Sequence, residues 1–437
     1  MNFSKRSQIF FAAGLAAMML FSFRQLSSGQ VNQQINSQQI NYAQREVNAS
    51  PAIKNRLATL RAEIQARKLN YRVAYTTAMD FSIAQLTGLI VPRNLGTQAR
   101  TQNARARQLR AIDDAARDTH MREKNLRLPE VEQKPSATAK SLDWRKMGKV
   151  TAVRNQNPCG SCWDFAACAA YESNYLIRNG IMVDLSEQEI LDCGGAGGCK
   201  GGWHTTVYDY MISTGAMSNA DYTDYKAIQN SCSLDASANP FRAVAWGYVT
   251  DDFIPGTPNQ RMPTVAELKE ALVENGPVAV CLLATEDFKS YGGDIFEEKR
   301  TAGQTYFDSW NQKTFTIEGN GNATGVDDNG KKYYPVNHVV LLIGWDDVKG
   351  AWLIKNSWGV GWGDTCGYGT EKGYGWIKYN ADNIGAAAAW VKVKSNAYVL
   401  PRQYYQLNPN IKPMPDPVIR TEPVIKANPI TKKPSGQ

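Results

Sequence analysis

The sequence predicts an α+β fold from three observations. Apolar residues recur at helical spacing through residues 51–68, and a basic helical stretch covers 97–124. A third helix-forming run spans 162–178. From Leu142 to Tyr398 glycine and aromatic residues become dense, with short strand-like runs at Val339–Ile343 and Trp352–Lys355.

The first helix has a defined start, since Ser50 can cap it and Pro51 fits its first turn. Ile53, Leu57, Leu60 and Ile64 then form one apolar stripe. Residues 30–48, rich in Gln and Asn, read as a solvated linker. Periodicity is lost between Glu130 and Ser141, around Pro135, which places a domain boundary near residue 140. Beyond Leu400 proline recurs in Pro417-Val418-Ile419, Pro423-Val424-Ile425 and Pro429-Ile430, so residues 401–437 are expected to be a Pro-rich disordered tail.

Composition is globular, with 43% hydrophobic, 10% aromatic and 21% charged residues in 437. The net charge of +8 suggests a polyanion binder, but its distribution argues otherwise. Residues 30–140 carry 18 Lys and Arg against 9 Asp and Glu, a net of +9. Residues 141–400 carry 22 against 30, a net of −8. The largest part is acidic, so nucleic-acid binding is not expected.

Lys5 and Arg6 precede an apolar run, Ile9 to Phe23, followed by Gln25, Ser27 and Ser28. Fifteen helical residues reach about 22 Å, short of the ~30 Å hydrocarbon core. Residues 1–29 therefore read as a secretion signal, the alternative being an uncleaved anchor. The protein is expected to be secreted, or to reach a periplasmic or lysosome-like exported compartment, without stable membrane association once the signal is cut. Export also permits disulfides among the eight cysteines.

The chemistry gathers in Asn155 to Ala167, which reads Asn-Gln-Asn-Pro-Cys-Gly-Ser-Cys-Trp-Asp-Phe-Ala-Ala. Cys159 and Cys162 could be a redox pair, but the aromatic follows the second Cys rather than preceding the first. They could be half of a zinc site, but Cys193 and Cys199 have the wrong spacing for the other half. Cys162 could also open a helix, where the peptide dipoles stabilise a thiolate. A thiolate nucleophile needs a proton carrier, usually histidine.

The chain has three histidines. His120 lies in the basic helix and reads as a solvated surface residue. His204 follows Gly201-Gly202-Trp203, either lining a cleft or exposed at its rim. His338 heads a buried-strand pattern, Pro-Val-Asn-His-Val-Val-Leu-Leu-Ile-Gly, and 18 residues later comes Asn356, an amide able to orient an imidazole, with Trp358 to cover the pair. Nucleophile, base and orienter together are far less probable by chance than any one alone.

Gln156 through Phe165, His338, and Lys355 to Gly363 closely resemble the papain-like cysteine peptidases. The resemblance runs from about Leu142 to Ile377, roughly half the chain. It implies a two-lobed fold, with a helical lobe carrying the Cys and a β-barrel-like lobe carrying the His, preceded by a helical pro-region. By resemblance Cys162 attacks a peptide carbonyl and His338 is base, then acid. Asn356 holds the imidazole under Trp358, while the Gln156 amide and the Cys162 N–H form an oxyanion hole. A thiolate–imidazolium pair is expected to persist near neutral pH, each ion stabilising the other, and neither cofactor nor metal is implied. The resemblance also pairs Cys159 with Cys199 and Cys193 with Cys232. It lines a substrate pocket with Trp203, His204, Cys281 and Val339, suggesting Leu, Val or Phe two residues before the cut. Gly201 and Gly202 would offer bare backbone to an extended protein or peptide substrate. Cys168 reads as a small buried hydrophobe, and the pairing of Cys281 and Cys366 stays open.

His338 and Asn356 lie 176 and 194 residues after Cys162, more than the roughly 130–150 usual for the family. The excess falls within residues 293–334, where Asp327-Asp328-Asn329-Gly330 reads as a solvated turn rather than a calcium loop. The expected layout is a signal (1–29), an inhibitory pro-region (30–140) bound in the same molecule, a catalytic domain (141–400) and a tail, acting as a monomer. Opposite charges on pro-region and domain predict salt-sensitive, acid-promoted processing near Glu130 to Ser141. A catalytically silent binding module and a thiol oxidoreductase are the competing function classes.

Overall fold

The structure, a computed structural model, describes residues 40–92, 95–125, 135–234, 240–252, 261–298, 305–308, 313–316, 322–326 and 332–409. The signal, the Asp327-Asp328-Asn329-Gly330 stretch, the prolines beyond residue 409 and the first part of the expected processing region lie outside them. The helices are α1 (Tyr42–Val47), α2 (Pro51–Ala66), α3 (Ile83–Leu86), α4 (Leu95–Glu123), α5 (Cys162–Asn179), α6 (Glu187–Cys193), α7 (His204–Ser213), α8 (Val265–Asn275), α9 (Glu286–Lys289) and α10 (Arg402–Leu407). Ser50 caps α2 by accepting from the Ile53 N–H, with Pro51 in its first turn. Of its predicted stripe, Leu57 and Leu60 are fully buried.

Nine strands form the main sheet: β1 (Tyr71–Val73), β2 (Ser141–Asp143), β3 (Ala243–Tyr248), β4 (Val278–Leu282), β5 (Tyr291–Phe296), β6 (His338–Asp346), β7 (Ala351–Lys355), β8 (Tyr374–Lys378) and β9 (Ala386–Val393). Their order is β1-β5-β8-β7-β6-β4-β9-β3, an open path rather than a closed barrel, with β2 paired to β6. Strand β6 is the hub. Its first half pairs with β4 from His338↔Leu282 to Leu342↔Val278, and β7 lies on its other edge. Eight of its nine residues are buried, as its unbroken apolar sequence requires. Helix α5 packs on β6 and β9 and is buried on nearly every face along most of its length.

One feature departs from the sequence reading and two add to it. The first residues expected to be tail instead form α10, because Tyr404 and Leu400 bury with Leu109 of α4. Within the long segment before His338, Asn383 anchors the chain by donating to the Pro335 carbonyl (2.7 Å) and accepting from the Ala323 N–H (2.8 Å). Strand β1, from the expected pro-region, joins the main sheet against β5. The stretch expected to be the pro-region thus shares the main sheet's hydrogen bonding.

Leu341→Ala, at the buried centre of β6, should cost about 2–5 kcal/mol of stability, read from urea denaturation of the full chain. A loss below about 1 kcal/mol would show that β6 is not the central strand.

Candidate active site

Cys162 is the first residue of α5 and is wholly buried. The disulfide Cys159–Cys199 ties the preceding turn to the glycine-rich loop, and Cys193–Cys232 ties that loop onward. Two close backbone approaches shape the surroundings. A Cβ on Gly202 would lie 2.6 Å from the Trp163 indole, and one on Gly160 2.7 Å from the Cys199 carbonyl oxygen. Only glycine fits at either point.

His338 opens β6 and Asn356 directly follows β7, so the pairing of these two strands sets their separation. His338 Nε2–H donates to Asn356 Oδ1 at 2.8 Å. With that proton on Nε2, Nδ1 is left as the basic nitrogen, and it is buried with no partner among the described residues. The Trp358 indole lies over the ring, 4.8 Å between centroids. Asn356 Oδ1 also accepts from the Ser357 N–H (2.8 Å), which fixes the amide's orientation.

Gln156 is positioned at both ends. Its Oε1 accepts from Ser357 Oγ at 2.6 Å, while its Nε2 donates to the Cys159 carbonyl at 2.7 Å and to the Leu86 carbonyl at 3.1 Å. Trp358 Nε1–H donates to that same Leu86 carbonyl at 3.2 Å. The chain then crosses Cys162. Gly88 donates to the Asn337 carbonyl (3.2 Å) and accepts from the Gly202 N–H (3.2 Å), and the Ile90 N–H donates to the Gly202 carbonyl (2.9 Å). Leu89 and Gly202 run parallel in this contact. Gly88 lies flat against Gly160: a Cβ there would be 2.0 Å from the Gly160 oxygen.

This cover decides the electrostatics. Burial pushes the Cys162 thiol up to about 11, against opposing hydrogen bonds from the backbone of Val339, Gly88, Trp163 and Cys162 itself. Burial likewise pulls His338 down to about 4, opposed by its bond to Asn356. Burial thus opposes the ion pair expected at neutral pH, shifting both groups toward their neutral forms.

His204 is neither at a rim nor open to solvent. It is fully buried and donates from Nε2 to the Ala387 carbonyl at 3.0 Å. Its Nδ1 lies 4.0 Å from Cys281 Sγ, and its ring lies 4.7 Å from that of Trp203. Val339 pairs with Cys281 in register, so Trp203, His204, Cys281 and Val339 share one buried region beside Gly201 and Gly202. Cys168 is buried, and its Sγ donates to Asp164 Oδ1 at 3.3 Å. Cys281 and Cys366 are both unpaired.

The sequence reading missed two contributors. Leu86 to Ile90 carries no motif, and only Gly88 between apolar residues hinted at a close approach. Lys355 is buried and donates to the carbonyls of Thr151 and Ala152 (both 2.9 Å) and to Thr151 Oγ1 (3.0 Å), clamping the strand end that carries Asn356.

Known proteins fit this geometry. Residues 138–334 match the family described as papain family cysteine protease. Macrodontain-1 of Ananas macrodontes is 32% identical over 52% of this chain and 86% of its own. Fruit bromelain of Ananas comosus is 34% identical over 52% of this chain, the match spanning only 54% of its own length. Among solved structures, a recombinant stem bromelain precursor aligns with a TM-score of 0.53 and 24% identity, over 84% of this chain and 98% of its own. A digestive procathepsin L 3 from Tenebrio molitor aligns with a TM-score of 0.50 and 24% identity, over 77% and 88%. The class of fold is that of papain-like precursors, two lobes with a preceding segment attached. The chain belongs to the papain family of cysteine proteases.

With its thiol held near 11, Cys162 in the intact chain should alkylate slowly with iodoacetamide at pH 7–8, with the rate climbing only toward strongly alkaline pH. Gly88→Ala, whose new methyl must push the segment off Gly160, should speed alkylation at pH 8 about tenfold or more, as lowering the thiol by about one unit would. Peptide mapping by mass spectrometry assigns the adduct, and an unchanged rate would show that the segment does not control the thiol.

Proposed function

We propose that the chain is the exported precursor of a cysteine peptidase that cleaves peptide bonds through an acyl-enzyme on Cys162. The supporting observation is the His338 Nε2–Asn356 Oδ1 bond, which leaves Nδ1 free to act as base beside the strand whose Val339 backbone meets the Cys162 sulfur. His338 takes the thiol proton as the sulfur attacks, then returns it to the leaving amine. The developing oxyanion is met by Gln156 Nε2 and the Cys162 N–H, a donor of this kind being worth about 3 kcal/mol. Water then frees the acyl group with His338 again as base. Trp203, His204, Cys281 and Val339 form the side-chain pocket, and its apolar lining favours Leu, Val or Phe.

Residues 30–140 act as the inhibitor within the same molecule. Leu86 places a carbonyl on Gln156 Nε2, the donor the reaction needs, and Gly88 seals Cys162 from solvent. The signal at residues 1–29 directs export to a secreted, periplasmic or lysosome-like compartment, where the two disulfides persist. Ion pairs Arg56–Asp287, Arg72–Asp294, Arg107–Asp251 and Arg110–Glu274 link the basic segment to the acidic domain. Each is partly exposed, so each contributes little singly and salt screens it.

A covalent epoxide probe of cysteine peptidases should label Cys162 in the processed enzyme, located by mass spectrometry. Cys162→Ala should abolish peptide cleavage while Cys159 remains, and Gln156→Ala should lower kcat about 10²–10³-fold. Disulfide reductase activity surviving in the wild type without peptidase activity would overturn the assignment.

Processing should quicken with added salt. Its pH response follows from sign: burial, with Glu298 next, raises the Asp287 carboxyl to about 6. The assembled precursor therefore takes up a proton there as pH falls, and through this group gains rather than loses stability. No acceleration is expected between pH 7 and 6; it should begin below about pH 5, where ordinary carboxylates protonate. Processing rates indifferent to salt and pH alike would remove the electrostatic account.

A further inference from the structure

Helix α4 follows the segment that covers Cys162, yet its contacts are of another kind. We propose that α4 is not shed with that segment: it stays docked on β3 as a permanent part of the working enzyme. The inference rests on the peptidase reading and narrows its inhibitory region to the residues before α4.

Strand β3 ends the sheet, pairing with β9 alone. All six of its residues are buried. An uncovered outer edge would leave backbone groups without partners and invite aggregation. Helix α4 supplies them. Asn103 accepts from the Tyr248 N–H (2.7 Å) and donates to the Tyr248 carbonyl (3.1 Å), filling the place of a neighbouring strand. Gln102 donates to the Trp246 carbonyl at 2.8 Å. The fit extends to Gly247, where a Cβ would lie 3.0 Å from Asn103 Oδ1 and 2.7 Å from Trp390.

The apolar stripe of α4, Leu95, Ala99, Ala106 and Leu109, is buried over its length. Leu109 closes a cluster with Val244 and Ala245 of β3 and Leu400 and Tyr404 at the chain's far end. Asp113 is fully buried and binds Arg178 of α5 (2.6 Å), Lys392 of β9 (3.1 Å) and the Tyr398 hydroxyl (3.0 Å). Arg105 bonds Asn408. Stripping α4 would therefore bare two β3 residues' backbone, an apolar cluster and two cations that have lost their counterion.

The covering segment buries Leu86 and Leu89 but meets the cleft differently. Gly88 and Ile90 are held near the thiol chiefly through backbone hydrogen bonds, and Ile90 is 53% exposed. An extended peptide substrate can replace such bonds one for one. Substrate can thus take over the segment's backbone bonds, whereas nothing takes over those that α4 makes to the edge of β3.

The test begins with the full-length precursor, processed until peptidase activity appears and purified by ion exchange and gel filtration. Intact mass and N-terminal sequencing should find residues 95–123 in the active species, whether still joined to the domain or as a bound fragment. Active enzyme beginning near residues 135–141 with no α4 fragment overturns the inference while leaving the peptidase reading intact. As a second readout, Asn103→Ala should lower the melting temperature of the processed species by about 5 °C. Identical melting of processed wild type and variant means α4 has gone. Should no peptidase activity appear, the peptidase reading fails; α4 is then sought after limited digestion by an added protease, where its co-elution with the domain supports retention and its loss refutes it.

Discussion

The contact on which the site depends is the meeting of the first turn of α5 with the start of β6. Helix α5 is too apolar to stand at a surface and packs into the sheet. Its N-terminal residue therefore arrives beside Val339, and with it His338 one residue earlier. Strand pairing between β6 and β7 then fixes Asn356 within a hydrogen bond of the ring. Helix packing thus sets Cys162 beside Val339, and strand pairing joins His338 to Asn356. The buried Lys355, held by Thr151 and Ala152, stiffens the strand end where an amide's aim matters most.

The same burial also acts on the charges of Cys162 and His338. A charged sulfur and a charged ring stabilise one another only if both can be solvated or fully hydrogen-bonded. Under Gly88 burial shifts each group toward its neutral form, against the hydrogen bonds that favour charge. Burial acts on the charge of both groups while the His338–Asn356 bond is already made.

The region before the catalytic domain is not one object. Strand β1 borrows the sheet's free edge at β5, the Leu86 to Ile90 stretch borrows the cleft, and α4 seals the opposite edge at β3. The sheet is thus capped at both ends by residues that precede the domain. An open sheet must do something with its edges, and this chain solves the problem with its N-terminal third.

The helical stripe of α2, the unbroken apolar run of β6 and the Cys-Gly-Ser-Cys-Trp motif could be read directly, because each is a local pattern. Cys162, His338 and Asn356 are singled out by the motif and the scarcity of histidine, and Gln156 by the resemblance alone. The ordering of Tyr404 could not be read, because it depends on Leu109 nearly 300 residues away. Nor could the protonation of the thiol: residue types set what charge is possible, whereas solvent exposure sets which charge exists. The sequence alone determined the chemistry available; only the tertiary arrangement decided that Leu86 to Ile90 lies across it, because a backbone crossing between glycines leaves no side-chain pattern to find.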